Sequence, residues 1–64
     1  MAAYRFKLEY FDPTDEQYKE VERVFEDTET ISAKFCAEDA AYTMADKHWH
    51  RVTDLGEVVH QAGR

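Results

Sequence analysis

The stretch "CAEDAAYTMADKHWHRV", residues 36–52, contains the residue types most often used in metal coordination and nucleophilic catalysis. It holds a cysteine, several acidic side chains and two histidines. A cysteine nucleophile needs a base within hydrogen-bonding reach. A zinc site needs several cysteine or histidine ligands that converge on one point. The chemistry to consider is therefore a metal centre or a reactive thiol.

The element predicted to carry the histidines keeps them apart. Apolar residues recur at helical spacing over residues 38–52, which predicts an amphipathic helix with His48 in its apolar stripe. Residues two positions apart on a helix are separated by about 200° around its axis. We therefore expect His48 and His50 to point in nearly opposite directions, so that one metal ion cannot bind both.

Cys36 falls on a predicted strand before this helix, where alternation turns it away from the face that carries Phe35. No sequence signature places a base beside it, and the two glycines form no phosphate-binding loop. We therefore expect a protein that is not an enzyme, with no catalytic residue, metal or cofactor. The alternative is a metal- or pH-responsive module in which His48 contacts His60 across the core.

Alternating apolar and polar residues predict three strands. The first is "YRFKLEYF", residues 4–11, in which aromatic or aliphatic side chains alternate with charged ones. The second is "TISAKFCA", residues 30–37, just before the predicted helix. The third is "EVVHQ", residues 57–61, after a break at Gly56, and residues 62–64 are expected to fray.

Residues 13–27 admit two interpretations. As a helix, they place Tyr18, Val21 and Phe25 on one stripe, with acidic residues in the first turn. We expect this helix, which gives an α+β fold in the order β-α-β-α-β with both helices on one face of a small sheet. The alternative is the order β-β-β-α-β, with residues 18–26 as a strand.

Length and composition limit the size of the domain and indicate its cellular setting. Sixty-four residues, 14% of them aromatic, suffice for a single domain over residues 1–64, but only for a marginal core. The lone cysteine cannot form an internal disulfide, which fits a reducing, cytoplasmic setting. No apolar run reaches the length of a membrane span, so we expect no membrane association.

The net charge of −6 arises from one segment. Residues 12–29 hold eight acidic and two basic side chains, whereas the rest of the chain balances. This sign argues against direct nucleic-acid binding, which needs lysine or arginine to displace counterions from phosphates. We expect a protein partner with a basic surface, contacted by carboxylates and anchored by aromatic residues. The predicted carboxylates are Glu16, Glu20, Glu26 and Asp27, and the predicted anchors are Trp49 and Tyr42.

The order "TISAKFCA", "EDAAYTMADKHW", "GEVVHQ" resembles the strand–helix–strand unit of very small phage-encoded proteins. Within that group the chain is similar in length and layout to the T7-type phage inhibitor of bacterial RNA polymerase. The similarity covers about the last half of the chain, lies in pattern rather than residue identity, and carries over no functional residue. It implies a compact protein that binds and disables, or redirects, a host protein.

These observations favour a small acidic protein-binding module, a phage-type inhibitor in the cytoplasm of a bacterial host. Its expected target is a basic surface on a nucleic-acid-processing or defence protein, which it would contact by mimicking the charge of DNA. The alternative is a homo-oligomeric structural or accessory subunit, such as a homodimer that pairs the strand of residues 4–11 between chains. Trp49 has a second interpretation too, as the residue that seals one end of the core.

Overall fold

The computed structural model describes residues 2–58 and contains a hairpin, a helix and a returning strand. The strands form one antiparallel sheet in the order β2-β1-β3, so β1 is central and the other two are edge strands. The helix lies against one face of this sheet. The predicted α+β class is confirmed, but neither predicted element order matches the observed β-β-α-β. The bounds are Ala3–Asp12 for β1, Gln17–Glu26 for β2, Ala33–Ala45 for α1 and His50–Glu57 for β3.

The first strand and its buried face are as predicted. In β1, Phe6 and Leu8 are almost completely buried beneath α1, and Tyr4 packs against them. The alternate side chains, such as Lys7 and Glu9, lie on the opposite face because successive strand residues point to opposite sides. Period-two patterning therefore located this strand correctly.

The helix predicted over residues 13–27 is wrong, and the strand alternative for this segment is correct. β2 pairs with β1 along its whole length. The hairpin places Val21 opposite Leu8, and the ring of Phe25 lies 6.1 Å from that of Phe6. These residues thus reach the core through strand pairing, and this non-local packing outweighs the helical spacing of the isolated segment.

The turn between β1 and β2 is held by side chains. The Asp12 carboxylate accepts hydrogen bonds from the Thr14 N–H at 2.9 Å and from Lys19 Nζ at 2.8 Å. Lys19 Nζ also lies 3.0 Å from Asp15. Glu16 ends the turn with φ at 58°, in the left-handed region. The hydrogen bond from Lys19 lowers the pKa of the Asp12 carboxyl.

The strand predicted over residues 30–37 is wrong, because α1 begins within it. Ser32 is the N-cap, and its hydroxyl accepts a hydrogen bond from the Phe35 N–H at 3.1 Å. The carboxylate of Asp27 accepts a second bond from the Ala33 N–H, at 2.7 Å. These two acceptors satisfy amides that have no partner within the helix, so they set where α1 starts.

Alanines spaced four residues apart form the buried side of α1 and allow a close approach to the sheet. The helix predicted over residues 38–52 is correct only in its first half. Asp46 adopts left-handed φ and ψ values of 51° and 52°, which end α1 and leave His48 outside it. The buried alanines are Ala33, Ala37, Ala41 and Ala45.

The last strand starts earlier than predicted. β3 begins at His50 and pairs with β1, whereas the prediction placed a strand at residues 57–61. Most of that range, together with residues 62–64, lies outside the described residues. Within residues 2–58, no helix is long and apolar enough to cross a bilayer.

Candidate functional site

The sheet face opposite α1 is uncovered in the described part of the chain, and we call it the open face. Strand parity and the pairing register define its members. Four carboxylates and three cationic side chains share it with aromatic residues. Its members are Arg5, Lys7, Glu9 and Phe11 of β1, Tyr18, Glu20, Glu22, Val24 and Glu26 of β2, and Trp49, Arg51 and Thr53 at β3.

One end of the open face is a row of three aromatic side chains, which runs from β2 across β1 to the residue just before β3. The rings of Phe11 and Tyr18 lie 5.1 Å apart, and those of Tyr18 and Trp49 lie 5.7 Å apart, both edge to face. The Phe11 N–H donates to the Trp49 carbonyl at 2.9 Å, which fixes Trp49 beside β1. Tyr18 is nevertheless 73% exposed and Trp49 is 47% exposed. We call Tyr18, Phe11 and Trp49 the aromatic row.

The next row along the strands is charged. Glu9 lies between Glu20 of β2 and Arg51 of β3. Arg51 Nε donates to Glu9 Oε1 at 2.9 Å, and its guanidinium carbon lies 5.7 Å from the Trp49 ring centroid. The hydrogen bond from Arg51 lowers the pKa of Glu9 and raises that of Arg51 in return. We call Glu20, Glu9 and Arg51 the charged row.

Further along, the open face carries acidic residues on β2 and basic residues on β1. Glu22 is directly opposite Lys7, and Val24 is opposite Arg5. Glu26 ends this series at the far end of β2. The open face is therefore acidic towards the β2 edge and basic along its centre.

The structure separates the four predicted carboxylates. Glu20 and Glu26 lie on the open face and are exposed. Glu16 lies in the β1–β2 turn. Asp27 is half-buried, and its carboxylate is engaged in the hydrogen bond to the start of α1. Only two of the four thus belong to the open face.

The two predicted anchors lie on opposite sides of the sheet. Trp49 belongs to the aromatic row, whereas Tyr42 lies on α1 with its ring 5.8 Å from that of His50. Sequence reasoning missed Tyr18 as a neighbour of Trp49. The alternation in the strand interpretation of residues 18–26 was the signal that could have grouped Tyr18 with Glu20.

The histidines and the cysteine do not converge. His48 lies after α1, where its Nδ1 is 2.9 Å from the Asp46 carbonyl and its ring is 5.7 Å from Phe11. His50 contacts the α1 side instead. Cys36 is on α1, not on a strand as predicted. Residues 2–58 contain no group of three or more side chains placed to hold a metal ion, and His60 lies outside this range.

The position of each strand in the sheet decides which strand could pair with a second copy of this chain. The strand of residues 4–11 is central, so it offers no free edge for the homodimer contact predicted for it. In β2, opposed residues of an antiparallel pair lie on the same face. If two β2 strands paired with any one of residues 20–24 at the centre, two glutamates would lie directly opposite each other, among Glu20, Glu22 and Glu26. Opposed like charges destabilise such pairing.

No protein family matches this chain, and neither the curated proteins nor the solved structures contain a match to it.

Proposed function

We propose that this protein is a non-enzymatic binding module that docks through its open face on a protein partner with a basic, partly apolar surface. The observation that carries the proposal is the exposure of the aromatic row. Tyr18 and Trp49 leave large ring areas in water, although strand pairing holds Tyr18 and a backbone hydrogen bond from Phe11 holds Trp49. Rigid, partly exposed aromatic side chains are enriched among the residues that dominate binding energy at protein interfaces.

The charges beside the aromatic row favour a basic partner. Glu20, Glu22 and Glu26 are exposed and lie towards the β2 edge of the open face. Complementary charge raises the rate of encounter and orients the partner. Lys7 and Arg5 lie on the neighbouring strand β1, and Arg51 lies beyond it on β3. The interface we propose is therefore mixed and not uniformly acidic.

The narrower proposal is a phage-type inhibitor of a host nucleic-acid-processing or defence protein. The net charge of −6 and the carboxylates of β2 support contact with a surface that normally meets phosphates. The basic residues along β1 limit how closely the open face imitates a nucleic-acid strand. We therefore expect partial charge mimicry, with the aromatic row supplying the apolar contact.

The first experiment finds a partner and measures its affinity. Immobilised protein retains candidates from a bacterial lysate at low ionic strength, and each candidate is then purified and titrated alone. We expect the affinity of a true partner to fall as salt rises, since exposed charges are screened.

Two matched double variants then locate the docking surface. Trp49→Ala with Glu22→Gln removes one ring and one charge from the open face. Tyr42→Ala with Glu38→Gln removes the same kinds of group from α1. We expect the first variant to weaken binding by about tenfold or more, as for a hot-spot aromatic, and the second to leave it nearly unchanged. Equal losses, or a loss confined to the α1 variant, would contradict docking through the open face.

A further inference from the structure

The aromatic and charged rows of the open face contain two carboxylates beside three aromatic rings, but only one cation. The cation is Arg51, which is paired with Glu9 and lies over the Trp49 ring. This half of the two rows shows a complete arrangement: a carboxylate and an aromatic face that together hold one guanidinium. Within this molecule, a carboxylate beside an aromatic ring thus binds a guanidinium group.

The other half repeats the arrangement without the cation. Tyr18 and Glu20 are two residues apart on β2 and therefore project from the same face. Tyr18 is the most exposed large apolar side chain of the described residues. Within residues 2–58 no lysine, arginine or histidine forms an ion pair with Glu20.

A shallow depression of about 310 Å³ adjoins these two side chains. Its lining residues are Glu9, Tyr18, Lys19, Glu20 and Trp49. The ammonium of Lys19 is already paired with two carboxylates of the turn, at 2.8 Å from Asp12 and 3.0 Å from Asp15. It therefore does not occupy the depression as a counter-ion. The other four lining residues are two carboxylates and two rings, and these groups favour a cation as ligand.

The position of Glu20 adds an energetic reason for a cation there. Glu20 lies directly opposite Glu9, and like charges across a strand pair destabilise it. Arg51 neutralises Glu9 from the other side, but no described side chain does the same for Glu20. A cation supplied from outside would complete the row.

We propose that Tyr18 and Glu20 form a binding subsite for an arginine side chain of the protein partner. This inference rests on the proposed function and identifies the group that the open face recognises. The guanidinium stacks on the exposed Tyr18 ring and donates hydrogen bonds to the Glu20 carboxylate. Arginine fits better than lysine, because its planar group stacks on rings and is less strongly hydrated.

A direct test uses a short peptide with one arginine between glycines and serines. Matched peptides carry citrulline, a neutral analogue of arginine, or lysine at the same place. Chemical shifts of the Tyr18 ring and of the Glu20 amide are followed by NMR, together with the fluorescence of Trp49, the single tryptophan of the chain. We expect saturable changes with the arginine peptide and none with the citrulline peptide. Equal responses to arginine and lysine would overturn the assignment to arginine.

Three single variants then test the site itself. Tyr18→Val keeps a strand-forming residue but removes the ring, and Glu20→Gln keeps the shape but removes the charge. Glu38→Gln removes one exposed charge from α1 as the control. We expect each of the first two variants to lower the affinity for the arginine peptide by about fivefold, the size of one exposed cation–π or charged contact. The control should leave this affinity unchanged. An equal loss in the control would show a general charge effect and overturn the site.

The two proposals fail in different ways. If the purified partner loses affinity with Trp49→Ala and Glu22→Gln but is indifferent to Tyr18→Val and Glu20→Gln, the open face stands and the arginine subsite is overturned. If the arginine peptide binds as expected while the partner is indifferent to open-face changes, the subsite stands and its role in the proposed function is overturned.

Discussion

The two faces of the sheet have different compositions and use their aromatic residues differently. On the α1 side, Phe6 and Leu8 are completely covered, and alanines bring the helix close. On the open face, the rings of Tyr18 and Trp49 contact each other, yet Tyr18 is largely exposed and Trp49 is about half exposed. The covered face thus supplies what folding requires, and the open face keeps apolar area available for contact. This division is the basis of our proposal that the open face is a docking surface.

Truncating one side chain on each face tests this difference most directly. Leu8→Ala removes a side chain that is fully buried, and we expect it to cost ~3 kcal/mol in the free energy of unfolding. Val24→Ala on the open face should cost well under ~1 kcal/mol, because Val24 is half exposed. Urea unfolding monitored by circular dichroism measures both. Similar losses for the two variants would mean that the open face also contributes to the core.

The start of α1 decides whether the covered face stays covered. Ser32→Ala removes the N-cap acceptor and should lower the free energy of unfolding by ~1 kcal/mol. Ser32→Asp keeps an acceptor and should retain most of the stability. The midpoint of urea unfolding distinguishes them. If both variants behave like the wild type, the Asp27 carboxylate alone is sufficient to cap α1.

The aromatic row should add little to folding. A double-mutant cycle of Tyr18→Ala and Trp49→Ala should give a coupling of ~0.5–1 kcal/mol, the lower part of the range for an aromatic pair, because both rings are exposed. Thermal unfolding of the two single variants and the double variant supplies the cycle. A coupling several times larger would show that the row is a second core and not a surface kept for contact.

The smallest effect we expect is the acid dependence from Glu9. Its folded pKa is lowered, chiefly by the hydrogen bond from Arg51. The unfolded chain therefore takes up this proton first, at a pH near the ordinary glutamate value of ~4.3. The stabilisation is present above that value and is lost as the pH falls through the lower folded pKa. Glu9→Gln should flatten the stability profile slightly between these values, as measured by urea midpoints at several pH values. An unchanged profile would mean that the pair with Arg51 contributes nothing.

The sequence predicted those parts of the fold that depend on local pattern. The strand around Phe6 and Leu8 was found because its alternation is unbroken. The helix was found where alanine spacing continues, but its start was misplaced, because Ala33, Phe35 and Ala37 also fit a period of two. The N-cap at Ser32 was the local signal that could have corrected it.

The segment around Val21 could not be decided locally. Its residues fit a helical stripe, and only the presence of Leu8 on a neighbouring strand makes the extended form better. The candidate site depends on the same pairing. Glu20 and Trp49 were identified individually, yet their common surface exists only because β2 and β3 flank β1. Which side chains become neighbours across a sheet follows from register, and register is not visible in one segment.

The central position of β1 also sets an order of events in folding. The β1–β2 hairpin closes through a short turn, and such hairpins form in roughly 1–10 μs. The β1–β3 ladder joins residues forty or more positions apart, such as Tyr10 and His50, so its loop-closure cost delays it. Trp49 reaches Tyr18 only when that ladder forms. The fluorescence of Trp49 should therefore report the formation of the β1–β3 ladder and not that of the hairpin.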